Sequence, residues 1–251
     1  MKELSARQIG WIGGGYLSML GTLAGQTVFI SLFGAAIRAD FEISAGQYGL
    51  LYTAATLCSA IALAFLGPVT DRFSPRAIGI GSLVGLAAAA LLMSFSASIG
   101  MLLVTLFGLR FFGQGMLAHN CATALTRWFR RFRGRALAIS QLGYSTGEAL
   151  LPILVALAIA AWGWRQVWQV AAAVLVIGFV PAIALLFRGE ARPASADAPE
   201  KKPEADGGRW TRARVMRDPL FWWVLAGILA NPAIVTLIFF HQANLIESKG
   251  W

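Results

Sequence analysis

Two residues of opposite charge stand inside long apolar runs, where an ionised group is costly. Arg110 lies in a run from about residue 99 to 126, and Glu148 in one from about 136 to 161. Between them is a loop, Arg127 to Arg135, carrying five arginines and too basic to enter a membrane. If both runs are membrane-spanning helices, Arg110 is about 16 Å from the non-loop end of the first. Glu148 is then about 18 Å from the loop end of the second. Those depths together come close to the ~30 Å of a hydrocarbon core, so both groups sit near its midplane. A charge there costs roughly 3 kcal/mol or more, so each should face the interior and find a partner. Opposite sign at matching depth makes each the candidate partner of the other. Two readings fit the pair: a structural ion pair joining two helices, or a site handling substrate or protons.

Other polar residues extend the set. Gln141, Tyr144, Ser145 and Glu148 fall at i, i+3, i+4 and i+7, one helical face, which reads as a cavity wall. Ser140, Gly143 and Gly147 form a small-residue face beside it, suited to close helix contact. Gln114 lies one turn beyond Arg110, between two glycines. Ser18, Thr22 and Gln26 make a polar line on a glycine-rich first run, and His241 stands near the end of the last. Arg110, Glu148, Gln114, Gln141, Tyr144, Gln26 and His241 are the expected substrate or proton pathway.

The elements that must position them follow from composition. The 251 residues are 57% hydrophobic and 13% charged, unlike a soluble domain. Seven long apolar segments, about 9–37, 47–69, 77–97, 99–126, 136–161, 166–187 and 219–242, predict an all-α membrane protein. Continuous apolar runs argue against a β-barrel, whose strands alternate.

The net charge of +9 does not point to nucleic acid, because seventeen of the 21 Lys and Arg fall before the first span or after the second, fourth and sixth. That asymmetry places the N-terminus in the cytoplasm. Cys58 and Cys121 lie in apolar spans with no metal spacing, and no nucleotide-binding loop is present, so neither metal nor cofactor is expected. Residues 191–217 lose all apolar periodicity and read as a cytoplasmic linker.

Several stretches carry a family resemblance. Gly67-Pro-Val-Thr-Asp-Arg-Phe-Ser-Pro-Arg76 resembles the signature between the second and third helices of the major facilitator superfamily, Gly-x-x-x-Asp-Arg-x-Gly-x-Arg. Gly67, Asp71, Arg72 and Arg76 match, and Ser74 replaces the usual glycine. Leu109-Arg-Phe-Phe-Gly-Gln-Gly115 resembles the fourth-helix motif. Gly143-x-x-x-Gly147 followed by Pro152 resembles the fifth-helix motif, with Glu148 where many members have proline. Pro75 and the aromatic-basic loop resemble the monocarboxylate and oxalate/formate branch.

The resemblance implies a secondary transporter of a small organic anion, coupled to protons and working by alternating access, in the bacterial inner membrane. It implies a gating role for Asp71, paired across the two halves of the fold. The implied organisation is a six-helix bundle over 1–188, a linker over 189–218, and a seventh helix opening an incomplete second bundle over 219–251. Phe240 to Glu247 echoes Phe33 to Asp40, as a parallel repeat would. On this reading the missing C-terminal half, or a partner chain, completes the carrier, with lipid as the other partner. The alternatives are a non-transporting remnant and, remotely, an intramembrane serine hydrolase built on Gly143-Tyr-Ser-Thr-Gly147. That motif needs a strand–turn–helix context, and His119, about 180° from Arg110 around its helix, should point away from Ser145. An enzyme is not expected.

Overall fold

The computed structural model of the protein describes residues 5–129, 131–189 and 212–249; for 212, 213 and 241–248 it describes the backbone only. It divides into two units, Met1–Arg192 and Pro193–Trp251. Among the described residues, six helices are long and apolar enough to cross a membrane: Ala45–Arg72, Pro75–Ser94, Ile99–Trp128, Arg133–Trp162, Trp164–Leu186 and Pro219–Phe240. The bent pair Ala6–Leu32 and Gly34–Asp40 makes a seventh if counted as one span. The first six spans belong to the first unit. The core of the expected linker, residues 190–211, falls outside the described residues.

Local chemistry sets the helix ends. Ser5 with Gln8, and Ser44 with Gln47, form reciprocal capping boxes that satisfy the first amides of the first two spans. Ser74 and Ser98 cap the third and fourth spans, and Pro75 occupies the first turn of the third, where no amide is needed. Gly163, with φ of +82°, makes the sharp reversal between the fifth and sixth spans in a backbone region that side-chain-bearing residues avoid.

Side-chain size decides how these helices meet. The first span packs against the fourth, fifth and sixth; the third lies against the fourth and sixth; the second lies against the fourth. Leu23, Ile30, Phe33, Leu86, Leu106 and Trp168 are among the fully buried core residues. Phe33 and Trp168 rings approach to 4.6 Å, joining the first and sixth spans. At the other end Trp11 and Trp128 lie 4.9 Å apart, with Phe187 5.1 Å from Trp128. Arg165 closes the odd-numbered-loop end. It pairs with Asp40, donates from Nη2 to the Ser96 carbonyl at 2.7 Å, and stands over the Trp164 ring at 4.2 Å.

The sixth span widens to a π-helix over Leu175–Phe179, and the first and fourth depart together from the regular helices expected. The first is helical over Ala6–Gly21, tightens to a 3-10 turn over Thr22–Gly25, extends at Gln26 (φ −89°, ψ 154°), and resumes at Thr27–Leu32 before the 66° bend at Phe33. The fourth widens to a π-helix over Arg110–Leu117. The two irregularities face each other. A Cβ on Gly25 would fall 2.1 Å from the Leu109 carbonyl oxygen and 2.8 Å from Gly113 Cα. Both positions must be glycine for the backbones to come this close.

Candidate functional site

Arg110 opens the π-helical stretch and is buried, with 5% of its surface exposed. π-Helical turns are costly and concentrate at functional sites. Its Nη1 donates to the Gly25 carbonyl at 3.1 Å and to Thr27 Oγ1 at 3.4 Å. The Gly25 carbonyl can take that bond because the extended Gln26 interrupts the helix there. Phe29 and Ile30 amides donate to Gln26 instead. The break in the first span and the buried cation therefore satisfy one another.

Thr27 Oγ1 is hydrogen-bonded to the Tyr52 hydroxyl at 2.7 Å, and the guanidinium stands over the Tyr52 ring, 5.3 Å from its centroid. Thr27 and Tyr52 are both buried. Arg110 Nε is buried and has no hydrogen-bond partner among the described residues. An unsatisfied buried donor is expensive and calls for an explanation.

Glu148 does not complete the expected ion pair with Arg110. Among the described residues, Arg127 pairs with Asp71 and Arg165 with Asp40. Glu148 is half-buried on the fifth span, one turn beyond the half-buried Tyr144. Depth along the spans did not decide the partner: Arg110 turned to the Gly25 carbonyl and Thr27.

The remaining candidates separate. Gln26 is buried, its Nε2 donating to Thr22 Oγ1 at 3.5 Å. Gln114 and Gln141 are exposed on the bundle's surface. The His241 side chain lies outside the described residues. Gly143 and Gly147 lie against the first span. A Cβ on Gly143 would come 2.1 Å from the Tyr16 carbonyl oxygen, and one on Gly147 would reach 1.7 Å from Leu23 Cδ1. Ser145 is exposed within the continuous helix Arg133–Trp162, not on a strand–turn–helix elbow.

In the loop after the second span, Asp71 pairs with Arg127 of its own bundle. Arg127 Nη1 also donates to the Thr70 carbonyl at 2.9 Å. The Thr70 hydroxyl donates to the Gly67 carbonyl at 2.9 Å and lies 3.4 Å from His119 Nε2. Gly67 is close-packed, since a Cβ there would meet the Leu63 carbonyl oxygen at 2.8 Å. Arg72 is exposed and Arg76 half-buried.

Sequence reasoning missed Thr27, Tyr52 and the Gly25 carbonyl. A signal existed for one of them: Tyr48, Tyr52, Ala55 and Ser59 repeat at helical spacing and form the buried face of the second span. Nothing local marked the carbonyl, which is freed only by the break.

A bundle of helices long and apolar enough to cross a membrane defines an integral membrane protein. The chain belongs to the Major Facilitator Superfamily, whose family model matches residues 15–251. It is 30% identical over 215 residues to the membrane sensor protein UhpC of Escherichia coli, covering 81% of this chain and 46% of that protein. It is 29% identical to the probable sulfoacetate transporter SauU of Cupriavidus necator, covering 69% and 38%. The probable hexose phosphate transport protein of Chlamydia muridarum is 25% identical, covering 57% and 31%. The chain thus spans less than half the length of these relatives.

Proposed function

We propose that this bundle is the N-terminal half of a secondary transporter that moves a small organic anion, monocarboxylate-like, by alternating access. The observation that carries it is Arg110: a buried cation held by the broken first span, outside the ion pairs, with Nε left without a partner. An anionic group completing that edge would satisfy the donor and balance the charge, a charge-assisted bond of the stronger kind. The names of two relatives, for sulfoacetate and hexose phosphate transport, fit an anionic solute.

Residues 1–188 form the bundle, 189–218 the linker, and 219–251 the opening of a second bundle on this reading. Alternating access requires that second bundle, on the same polypeptide or on a partner chain. Asp71, Arg72 and Arg76, with Gly67 as the pivot, act at the cytoplasmic gate, and Arg127 holds Asp71 until the second bundle competes for it. Glu148 takes up a proton as substrate engages Arg110, coupling uptake to the proton gradient. Gln26, Gln114, Gln141, Tyr144 and His241 line the route. Gradients, not ATP, drive the process, and the protein is no enzyme.

The test is uptake of radiolabelled lactate and oxalate by proteoliposomes holding the complete carrier. Arg110→Gln is expected to abolish uptake. Glu148→Gln is expected to abolish proton-driven accumulation and leave energy-independent exchange. Uphill transport unchanged by Glu148→Gln would remove the coupling role, and uptake unchanged by Arg110→Gln would remove the site. A second reading, solute sensing, draws on the UhpC match; it keeps the site and predicts binding without uptake.

A further inference from the structure

Between the fifth and sixth spans lies a cavity of about 450 Å³ whose floor is the first span. Its walls are two facing stripes, Leu151 to Trp162 and Val167 to Phe179, each lining it at i, i+3, i+4 and i+7. Leu23 and Ala24, in the tightened turn of the first span, make the floor. Leu23, Val155 and Leu175 are buried, whereas Leu154, Val170 and Val174 on the rim are exposed. The cavity is therefore a slot that opens sideways from the bundle. Two irregularities shape its inner end. Pro152 interrupts the amide ladder of the fifth span, and the sixth widens to its π-helix at Leu175.

Dimensions and chemistry narrow what can lie there. Each stripe is roughly 16–18 Å long, about half of the ~30 Å hydrocarbon core. The slot thus runs the depth of one leaflet, with Trp162 at its outer end, where indoles anchor. Spread over that length, the volume leaves a cross-section of roughly 25–30 Å². Apolar carbons in contact stay about 4–4.5 Å apart, so one aliphatic chain needs roughly 20 Å² and two do not fit. A helix, about 10 Å across with its side chains, is too wide to enter. Apart from the Trp162 indole no lining side chain has a polar atom, so water finds no partners. Left empty, the walls would forfeit packing contacts. We infer that this slot is a lipid-chain site. One acyl chain of a phospholipid, from the leaflet on the Gly163 side, lies in it lengthwise against Leu23.

The test is photo-cross-linking of the 251-residue chain in nanodiscs of a phosphatidylcholine that carries a diazirine midway along one acyl chain. Adducts are located by peptide mass spectrometry. Leu157 and Ile177, exposed and outside the slot, report lipid at the surface of the bundle. Leu23, Val155 and Leu175 report a chain inside it, because surface lipid does not reach buried residues. The expected result is adducts on the buried three as well as on the exposed two. Ala158→Phe and Ala171→Phe each put a ring into the slot, and should remove the buried adducts while Leu157 and Ile177 stay labelled. Ala173→Phe, on an exposed position outside the slot, should change neither set. Labelling of Leu157 and Ile177 alone in the unmodified chain would overturn the site, whether or not the variants fold. Buried adducts that survive both ring substitutions would overturn it too. A chain that runs as a dimer with the buried three unlabelled would give the slot to a second copy, and the lipid site would fall.

Discussion

A single hydroxyl carries more of this site than either charged residue advertises. Thr27 Oγ1 meets both Arg110 Nη1 and the Tyr52 hydroxyl, so it fixes the guanidinium in place over the Tyr52 ring. A hydrogen bond to a buried charged group contributes about 1.5–3 kcal/mol. Thr27→Val is nearly isosteric and deletes only that polar function. It should destabilise the bundle by about 2 kcal/mol, read as a fall in unfolding temperature in detergent. Thr27→Ser should recover most of the loss. Equal losses in the two variants would mean that packing, not the hydroxyl, matters at this position.

Among the elements, the first span is the one the others are arranged around, and glycines set how closely they approach. Gly25 meets the fourth span at the Leu109 carbonyl, and Gly143 meets the first at the Tyr16 carbonyl. Backbone cannot rotate out of the way, so overpacking at these positions forces whole helices apart at about 1–3 kcal/mol or more. Gly147 differs, because the atom a new methyl would strike is the end of the Leu23 side chain, which can change rotamer. Gly25→Ala and Gly143→Ala should therefore lower the yield of monodisperse protein in size-exclusion chromatography far more than Gly147→Ala. Comparable yields for all three would show that the helices shift easily. The break at Gln26 belongs to the same scale. Gly25 permits the approach, the approach brings Arg110 to the freed carbonyl, and Arg110 stabilises the break.

For the whole molecule, the basic residues decide orientation. The N-terminus and the loops after the second, fourth and sixth spans hold seventeen of the 21 Lys and Arg, which predicts that they face the cytoplasm. Alkaline phosphatase fused after Arg135 should be inactive, and fused after Gly163 it should be active. The reverse pattern would overturn that orientation. Arg165, on the sparsely charged side, is spent on internal contacts: Asp40, the Ser96 carbonyl and the Trp164 ring. The bundle is thereby closed at both ends, by Arg165 at one and by the Trp11, Trp128 and Phe187 cluster at the other.

Six of the seven expected spans coincide with helices to within a few residues at most ends, and the family assignment drawn from Gly67–Arg76 and Leu109–Gly115 agrees with the match over residues 15–251. Hydropathy is a property of local stretches, and a bilayer leaves a long apolar run one option, a helix with its own amides satisfied. For the same reason Arg110 was legible as a residue needing a partner. Its choice of Gly25, Thr27 and Tyr52 over Glu148 was not, because sequence spacing gives depth along a helix and says nothing of rotation against a neighbour. The first span, expected as one run over 9–37, is broken at Gln26 and bent at Phe33. No propensity announces an extended residue inside a membrane span; only the close approach of Gly25 to Gly113, far apart in the chain, makes one stable.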